Sequence, residues 1–158
     1  MVKLVNQVDF ASKIKRKRLA LFSARDVQTL FGVSPAAATM LLYRYAKRGF
    51  IVRIKKGMYV FPDSLPPELY LANKLYSPSY ISGSYHRLIT EPVYYTTSIT
   101  TNTTHTAERL GKVYSYRHIM KKAFTGYTVE KQQNFTFRIA DAEKAFVDTL
   151  YYRVLFGM

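Results

Sequence analysis

The sequence predicts an α+β fold in two parts, a helical and basic part over residues 1–62 and a mixed α/β part over 63–158. Three observations point there. Capped helical stretches and one short alternating hairpin fill the first part. The stretch Pro62-Asp63-Ser64-Leu65-Pro66-Pro67 then interrupts any continuing strand with three prolines. Beyond Pro92 the chain is rich in β-branched and aromatic runs, closed by one more helical stretch.

Leu4, Val8, Ala11 and Ile14 recur at the spacing of one helical stripe, which ends in Lys15-Arg16-Lys17-Arg18. That basic run suits a solvated helix end complementing the dipole as well as it suits a phosphate-binding cluster. Leu19 to Phe22 reads as extended. Ser23 is an N-cap for a helix over Ala24–Phe31, and Gly32 ends it in the left-handed conformation. Ser34 caps the next helix with Pro35 at its first position, where the missing N–H costs nothing. This helix runs from Ala36 to Arg48 and Gly49 closes it. In Val52-Arg53-Ile54-Lys55-Lys56-Gly57-Met58-Tyr59-Val60-Phe61, apolar and basic residues alternate up to a tight turn at Gly57. Helix, short turn, capped helix and basic hairpin follow one another in the order of a winged helix-turn-helix.

Charge separates the two parts. The chain carries Lys+Arg 24 against Asp+Glu 10, a net +14. Residues 1–61 hold 13 basic residues against Asp9 and Asp26, a net +11, which leaves +3 for residues 62–158. Like charges gathered on a hairpin repel one another and stabilise nothing, so Arg53, Lys55 and Lys56 are expected to face phosphates or a minor groove. The second capped helix has two unlike faces. Ala38, Leu41, Leu42 and Tyr45 form one stripe suited to a core. Ala36, Thr39, Met40, Tyr43 and Lys47 lie opposite with Arg44 at the edge, and Ser34 sits at the amino end. A solvated surface helix would account for Arg44, Lys47 and Arg48 but not for Met40 and Tyr43 exposed among them. A helix entering a major groove needs small residues in its first turn and cations along its flanks, as here.

In the second part Glu68–Leu75 reads as a helix with Leu69, Ala72 and Leu75 on one side. Tyr80-Ile81 is extended and Ser82 starts a helix reaching about Thr90. Strands are expected over Val93–Thr100, Lys112–Tyr116, Phe124–Val129 and Asn134–Ile139, with Glu130-Lys131-Gln132-Gln133 as a polar turn. Asp141 caps a last helix from Ala142 to about Leu155, with Ala145, Phe146, Thr149 and Leu150 on its packed face.

Catalytic patterns are weak throughout. His86, His105 and His118 form no i, i+4 pair, and the chain has no cysteine, so neither a metal nor a cofactor is expected. Ser82, Ser84, Tyr85 and His86 lie close in sequence but lack a nucleophile elbow or triad order. Asp141, Glu143 and Asp148 invite a general acid–base reading, but Asp141 as a cap and Glu143 in the first turn are better explained by the helix dipole. Tyr94, Tyr95, Tyr114, Tyr116, Tyr127, Tyr151 and Tyr152 are either base-stacking platforms or cross-strand packing. No enzyme is expected. The apolar runs are too short to cross a bilayer, and the lack of cysteine fits a cytoplasmic protein.

A series of motifs resembles the AbiEi family of antitoxins. Arg53-Ile54-Lys55-Lys56-Gly57-Met58-Tyr59 at the end of the winged helix begins it, followed by Leu71-Ala72-Asn73-Lys74-Leu75 and Ser77-Pro78-Ser79-Tyr80-Ile81-Ser82. Phe124-Thr125-Gly126-Tyr127 and the stretch from Ile139 to Leu150 complete it in matching order. The resemblance implies a transcriptional autoregulator of a type IV toxin–antitoxin system, with residues 1–62 binding double-stranded DNA at promoter repeats of its own operon. It implies that residues 63–158 counter a nucleotidyltransferase-like toxin without a stable complex being required. Members of the family usually continue past this last helix, so the chain is expected to be a short relative or a shortened form. The alternative from another class is an architectural nucleic-acid-binding protein with little sequence preference and no toxin partner.

Overall fold

The computed structural model describes residues 5–82 and 95–157, so the expected helix from Ser82 to Thr90, with Ser84, Tyr85 and His86, lies outside the described residues, as do Leu4 and Tyr94. The chain divides into two compact units, Met1–Pro66 and Pro67–Met158. Helices lead and a mixed sheet follows, which is an α+β arrangement.

In the first unit α1 (Gln7–Arg16), α2 (Ala24–Phe31) and α3 (Pro35–Lys47) precede the hairpin of β1 (Val52–Lys55) and β2 (Met58–Val60). Local chemistry sets the helix ends. Ser23 and Asp26 form a reciprocal capping box at the start of α2, and Gly32 closes it at φ 62°. The Ser34 side chain accepts from the Ala37 N–H at 3.2 Å to open α3. The extended piece before α2 joins the hairpin: Phe22 N–H donates to the Tyr59 carbonyl and Tyr59 N–H to that of Phe22, at 3.1 and 2.9 Å. Phe10, Ile14, Phe22, Val27, Leu42 and Ile51 form the centre of the core. Of the stripe expected on α1, Ile14 is buried and Ala11 packs against the core, but Val8 is not part of it. Val8 is 80% exposed while Phe10 and Ile14 are fully buried, because the Phe10 ring fits among five other aromatic rings. The basic run after α1 is partly tied down: Lys15 pairs with Asp63 at 3.2 Å and lies over the Phe61 ring.

The second unit begins with α4 (Glu68–Leu75) and β3 (Ser79–Ile81). Then come β4 (Tyr95–Thr100), β5 (His105–Arg109), β6 (Lys112–His118), β7 (Tyr127–Gln132), β8 (Phe135–Ala140) and α5 (Ala142–Phe156). The described strands form one sheet in the order β5-β6-β4-β3-β8-β7, with β4/β6 and β3/β8 parallel. Adjacent residues on a strand point to opposite faces, so each face has its own core. Ile81 and Ile139 pack with Ala72 of α4, whereas Tyr80 and Ala140 pack with Ala145 and Tyr152 of α5. Glu68 fastens α4 to the sheet by accepting from Thr96 and pairing with Lys112.

Three expectations need correction. The polar stretch from Glu130 is strand rather than turn: β7 runs to Gln132, and the reversal falls at Gln133, with φ 57°. Phe124 ends a 3-10 turn over Lys121–Ala123 and does not begin a strand. On α5, Phe146 and Leu150 face outward, while Ala145, Asp148 and Tyr152 face the sheet. The inward face is partly polar because its polar groups are satisfied. Asp148, buried, accepts from Tyr80 Oη at 2.7 Å and pairs with Lys144 Nζ at 2.6 Å, and Tyr152 Oη donates to the His118 carbonyl at 2.7 Å. Tyr114 and Tyr116 are core residues too, with Tyr116 Oη donating to the Ala72 carbonyl at 2.6 Å, so neither offers a stacking platform.

Burial holds these tyrosines neutral. It pushes Tyr114 up to about 12, with Glu68 adding to the effect. Tyr80 rises further through burial and then its bond to Asp148, and burial likewise raises Tyr116 and Tyr152. Unfolded tyrosines ionise near pH 10, so the stability these groups contribute is complete below pH 10 and falls above it. Each adds a slope of about 1.4 kcal/mol per pH unit until its folded form ionises. Denaturant melts between pH 9 and 12 are expected to show this decline, and Tyr114→Phe to make it shallower.

Candidate nucleic-acid interface

The first unit carries the candidate site on two elements. The inward face of α3, made by Ala38, Leu41, Leu42 and Tyr45, is buried, which fixes the rotation of the helix. The same rotation leaves Ser34, Ala36, Thr39, Met40, Tyr43, Arg44 and Lys47 exposed, together with Arg48. Met40 is 55% and Tyr43 58% exposed, so two large side chains stand in solvent between a small amino-terminal turn and three cations. Thr39 Oγ1 donates to the Pro35 carbonyl at 2.9 Å. Its methyl group and a lone pair remain to meet a ligand, whereas its proton is engaged within the helix.

On the hairpin, Arg53 pairs with Tyr59 and Lys55 with Met58, and the register shifts between Arg53 and Lys55. This local irregularity accompanies a fully buried Ile54, with Arg53 and Lys56 exposed and Lys55 half-buried. Gly57 takes φ 78°, a left-handed value that any side chain would strain, so the turn places Lys56 at its tip. Arg44, Lys47, Arg48, Arg53 and Lys56 take part in no ion pair among the described residues, so their charges add to one positive field.

The start of α1 is a neighbour that the sequence reading did not include. A depression of about 390 Å3 lies between it and α3, lined in part by Asn6, Gln7, Met40, Arg44 and Arg48. Asn6 caps α1 by accepting from the Asp9 N–H at 2.7 Å, and the Asn6-x-x-Asp9 spacing was the available signal. Tyr45 Oη closes the floor by donating to the Val5 carbonyl at 2.7 Å. Burial raises the Tyr45 pKa, and the nearby Arg44 and Arg48 oppose that rise. Arg44 and Arg48 therefore lie beside the amino end of a helix, an arrangement suited to oxyanions such as backbone phosphates.

A helix with one buried and one exposed, cation-flanked face, next to a basic hairpin, is the geometry of a DNA-binding winged helix. Residues 13–62 match the family model of the transcriptional regulator, AbiEi antitoxin. The AbiEi match thus spans α2, α3 and the hairpin together with the end of α1, all within the first unit. No curated protein matches the sequence. Outside this interface, no group of three His, Cys, Asp or Glu side chains able to hold a metal ion occurs among the described residues, and no described helix is long and apolar enough to cross a membrane.

On a duplex, Arg53 and Lys56 are expected to act as positioning contacts. The double change Arg53→Ala/Lys56→Ala is expected to weaken binding to every duplex alike and to lower the salt slope by about one per lost phosphate contact. Unfolding midpoints should move little, since both side chains are exposed. Filter binding at several salt concentrations, with a thermal melt of each variant, measures both.

Proposed function

We propose that the protein binds double-stranded DNA in a sequence-specific way and represses transcription of its own operon. In this reading α3 enters the major groove and presents Thr39, Met40 and Tyr43 to base edges. Arg44, Lys47 and Arg48 grip the flanking phosphates, while Arg53, Lys55 and Lys56 hold the adjacent backbone or minor groove. The observation that carries the reading is the exposed face of α3, where apolar and aromatic side chains stand among cations with no acidic partner. Electrostatics alone would require only the cations; Met40 and Tyr43 supply apolar contact of the kind that recognises a thymine methyl group. The AbiEi match over the same residues supports it independently.

The proposal extends to biology. The first unit acts as the regulator of a type IV toxin–antitoxin operon and recognises promoter repeats. The second unit is the part that counters a nucleotidyltransferase-like toxin, without a stable complex being required. A compact second unit with a core on each face of its sheet, separate from the DNA-reading surface, is compatible with such a division of labour.

Specific and merely electrostatic binding separate by experiment. Affinities for the protein's own promoter fragment and for a scrambled duplex should differ, and both should fall steeply with salt, by about 0.9 in logarithmic slope for each phosphate neutralised. Tyr43→Ala is expected to cost about 1–3 kcal/mol on the promoter and little on the scrambled duplex. Thr39→Ala is expected to act in the same direction through its methyl group. Equal wild-type affinity for the two duplexes would instead identify an architectural protein.

A further inference from the structure

The last helix is apolar on both sides. Its inward face, Ala145, Asp148 and Tyr152, packs on the sheet. Its outward surface carries Phe146, Val147, Leu150 and Val154, exposed at 45 to 81%. A helix that is apolar all round is normally covered on both sides. At ordinary side-chain areas this surface amounts to roughly 400 Å2, the size of the largest apolar patch of a typical monomer, about 300–600 Å2 and often functional. Such a face needs an occupant.

The sequence of the helix describes that occupant. Counted from Asp148, Glu143 lies five residues before and Arg153 five after; Phe146 lies two before and Leu150 two after; Ala142 lies six before and Val154 six after. At about 100° per residue all six fall on the outward side, and all six are exposed. Neither Glu143 nor Arg153 takes part in an ion pair among the described residues. We propose that this face is a self-complementary dimer interface, in which α5 packs antiparallel against α5 of a second copy of the chain.

The two-fold axis then passes near Asp148. Phe146 of each copy meets Leu150 of the other. Glu143 at the amino end of one helix faces the partner's Arg153 at the carboxyl end, so each ion pair forms twice. Antiparallel packing also sets the helix dipoles in opposition, whereas a parallel pair would bring Glu143 against Glu143. The apolar part of the contact would bury about 800 Å2 between two copies, and the exposed Ala142, Glu143 and Arg153 bring the total to about 1,200 Å2, at the lower end of the range for stable interfaces. This inference does not depend on DNA binding.

Sedimentation equilibrium of the whole chain, without DNA, tests it. The wild type is expected at twice the monomer mass, dissociating on dilution, and Leu150→Glu at the monomer mass with unchanged far-ultraviolet circular dichroism. Each charge swap, Glu143→Arg or Arg153→Glu, replaces two attractions with two repulsions and should raise the dissociation constant about tenfold. The double swap should restore it. A wild-type monomer at every concentration would overturn the proposal, as would a dimer indifferent to Leu150→Glu. A dimer that the double swap fails to restore would place the contact elsewhere and overturn it equally.

Discussion

Five aromatic rings meet that of Phe10, which stacks on Phe31 with centroids 5.5 Å apart and also meets Phe22, Tyr45, Phe50 and Phe61 at 5.0 to 6.3 Å. These partners come from the extended piece before α2, from α2, from α3, and from the chain on either side of the hairpin, so one side chain of α1 ties these segments together. Each such pair contributes about 0.5–1.5 kcal/mol beyond the area it buries. That attachment matters because the surface opposes it: a net +11 on residues 1–61 is self-repulsive. A stiff aromatic core lets α3 and the hairpin keep a fixed relation, while Arg44, Lys47, Arg48, Arg53 and Lys56 have no ion-pair partner among the described residues.

The basic surface is thus a cost in the isolated protein that is relieved in a complex with a polyanion. Lys15, which pairs with Asp63, shows what a structurally engaged cation looks like in this unit. Arg44, Lys47, Arg53 and Lys56 have no such partner among the described residues, and they are the ones that border the exposed side of α3 or the tip of the hairpin. The second unit follows another logic. Tyr80, Lys144 and Asp148 turn polar groups inward and satisfy one another, while apolar side chains of α5 are turned outward. One unit displays charge and the other displays hydrocarbon, which suits two different kinds of partner.

Much of this was legible in the sequence where the signal is local. Ser23, Gly32 and Ser34-Pro35 mark helix ends through their own side chains or dihedral preferences, and the Ala38, Leu41, Leu42, Tyr45 stripe needs only the helical period. The same locality made the exposed face of α3 readable before any tertiary contact was known. The misread strands are the two edges of the sheet. The strand His105–Arg109 went unnoticed, and Glu130–Gln132 read as a turn, because an edge strand is solvated and lacks the apolar alternation of a covered one. Val8 on α1 and Phe146 and Leu150 on α5 depart from expectation for a different reason. Each helix has apolar residues on more than one side, so periodicity could not choose between Val8 and Phe10, or between Leu150 and Tyr152. Tertiary partners made that choice: the aromatic cluster for Phe10, and for Asp148 and Tyr152 the hydroxyl and carbonyl that satisfy them.

The account rests on α3 and the hairpin being the surface that meets DNA. Amide chemical shifts of the isotope-labelled chain, followed while a duplex from its own promoter is added, test this most directly. The account predicts shifts concentrated on residues 34–48 and 53–57, with smaller ones at the start of α1, and none of comparable size in the second unit. Shifts centred on the sheet or on α5, with α3 unmoved, would contradict it.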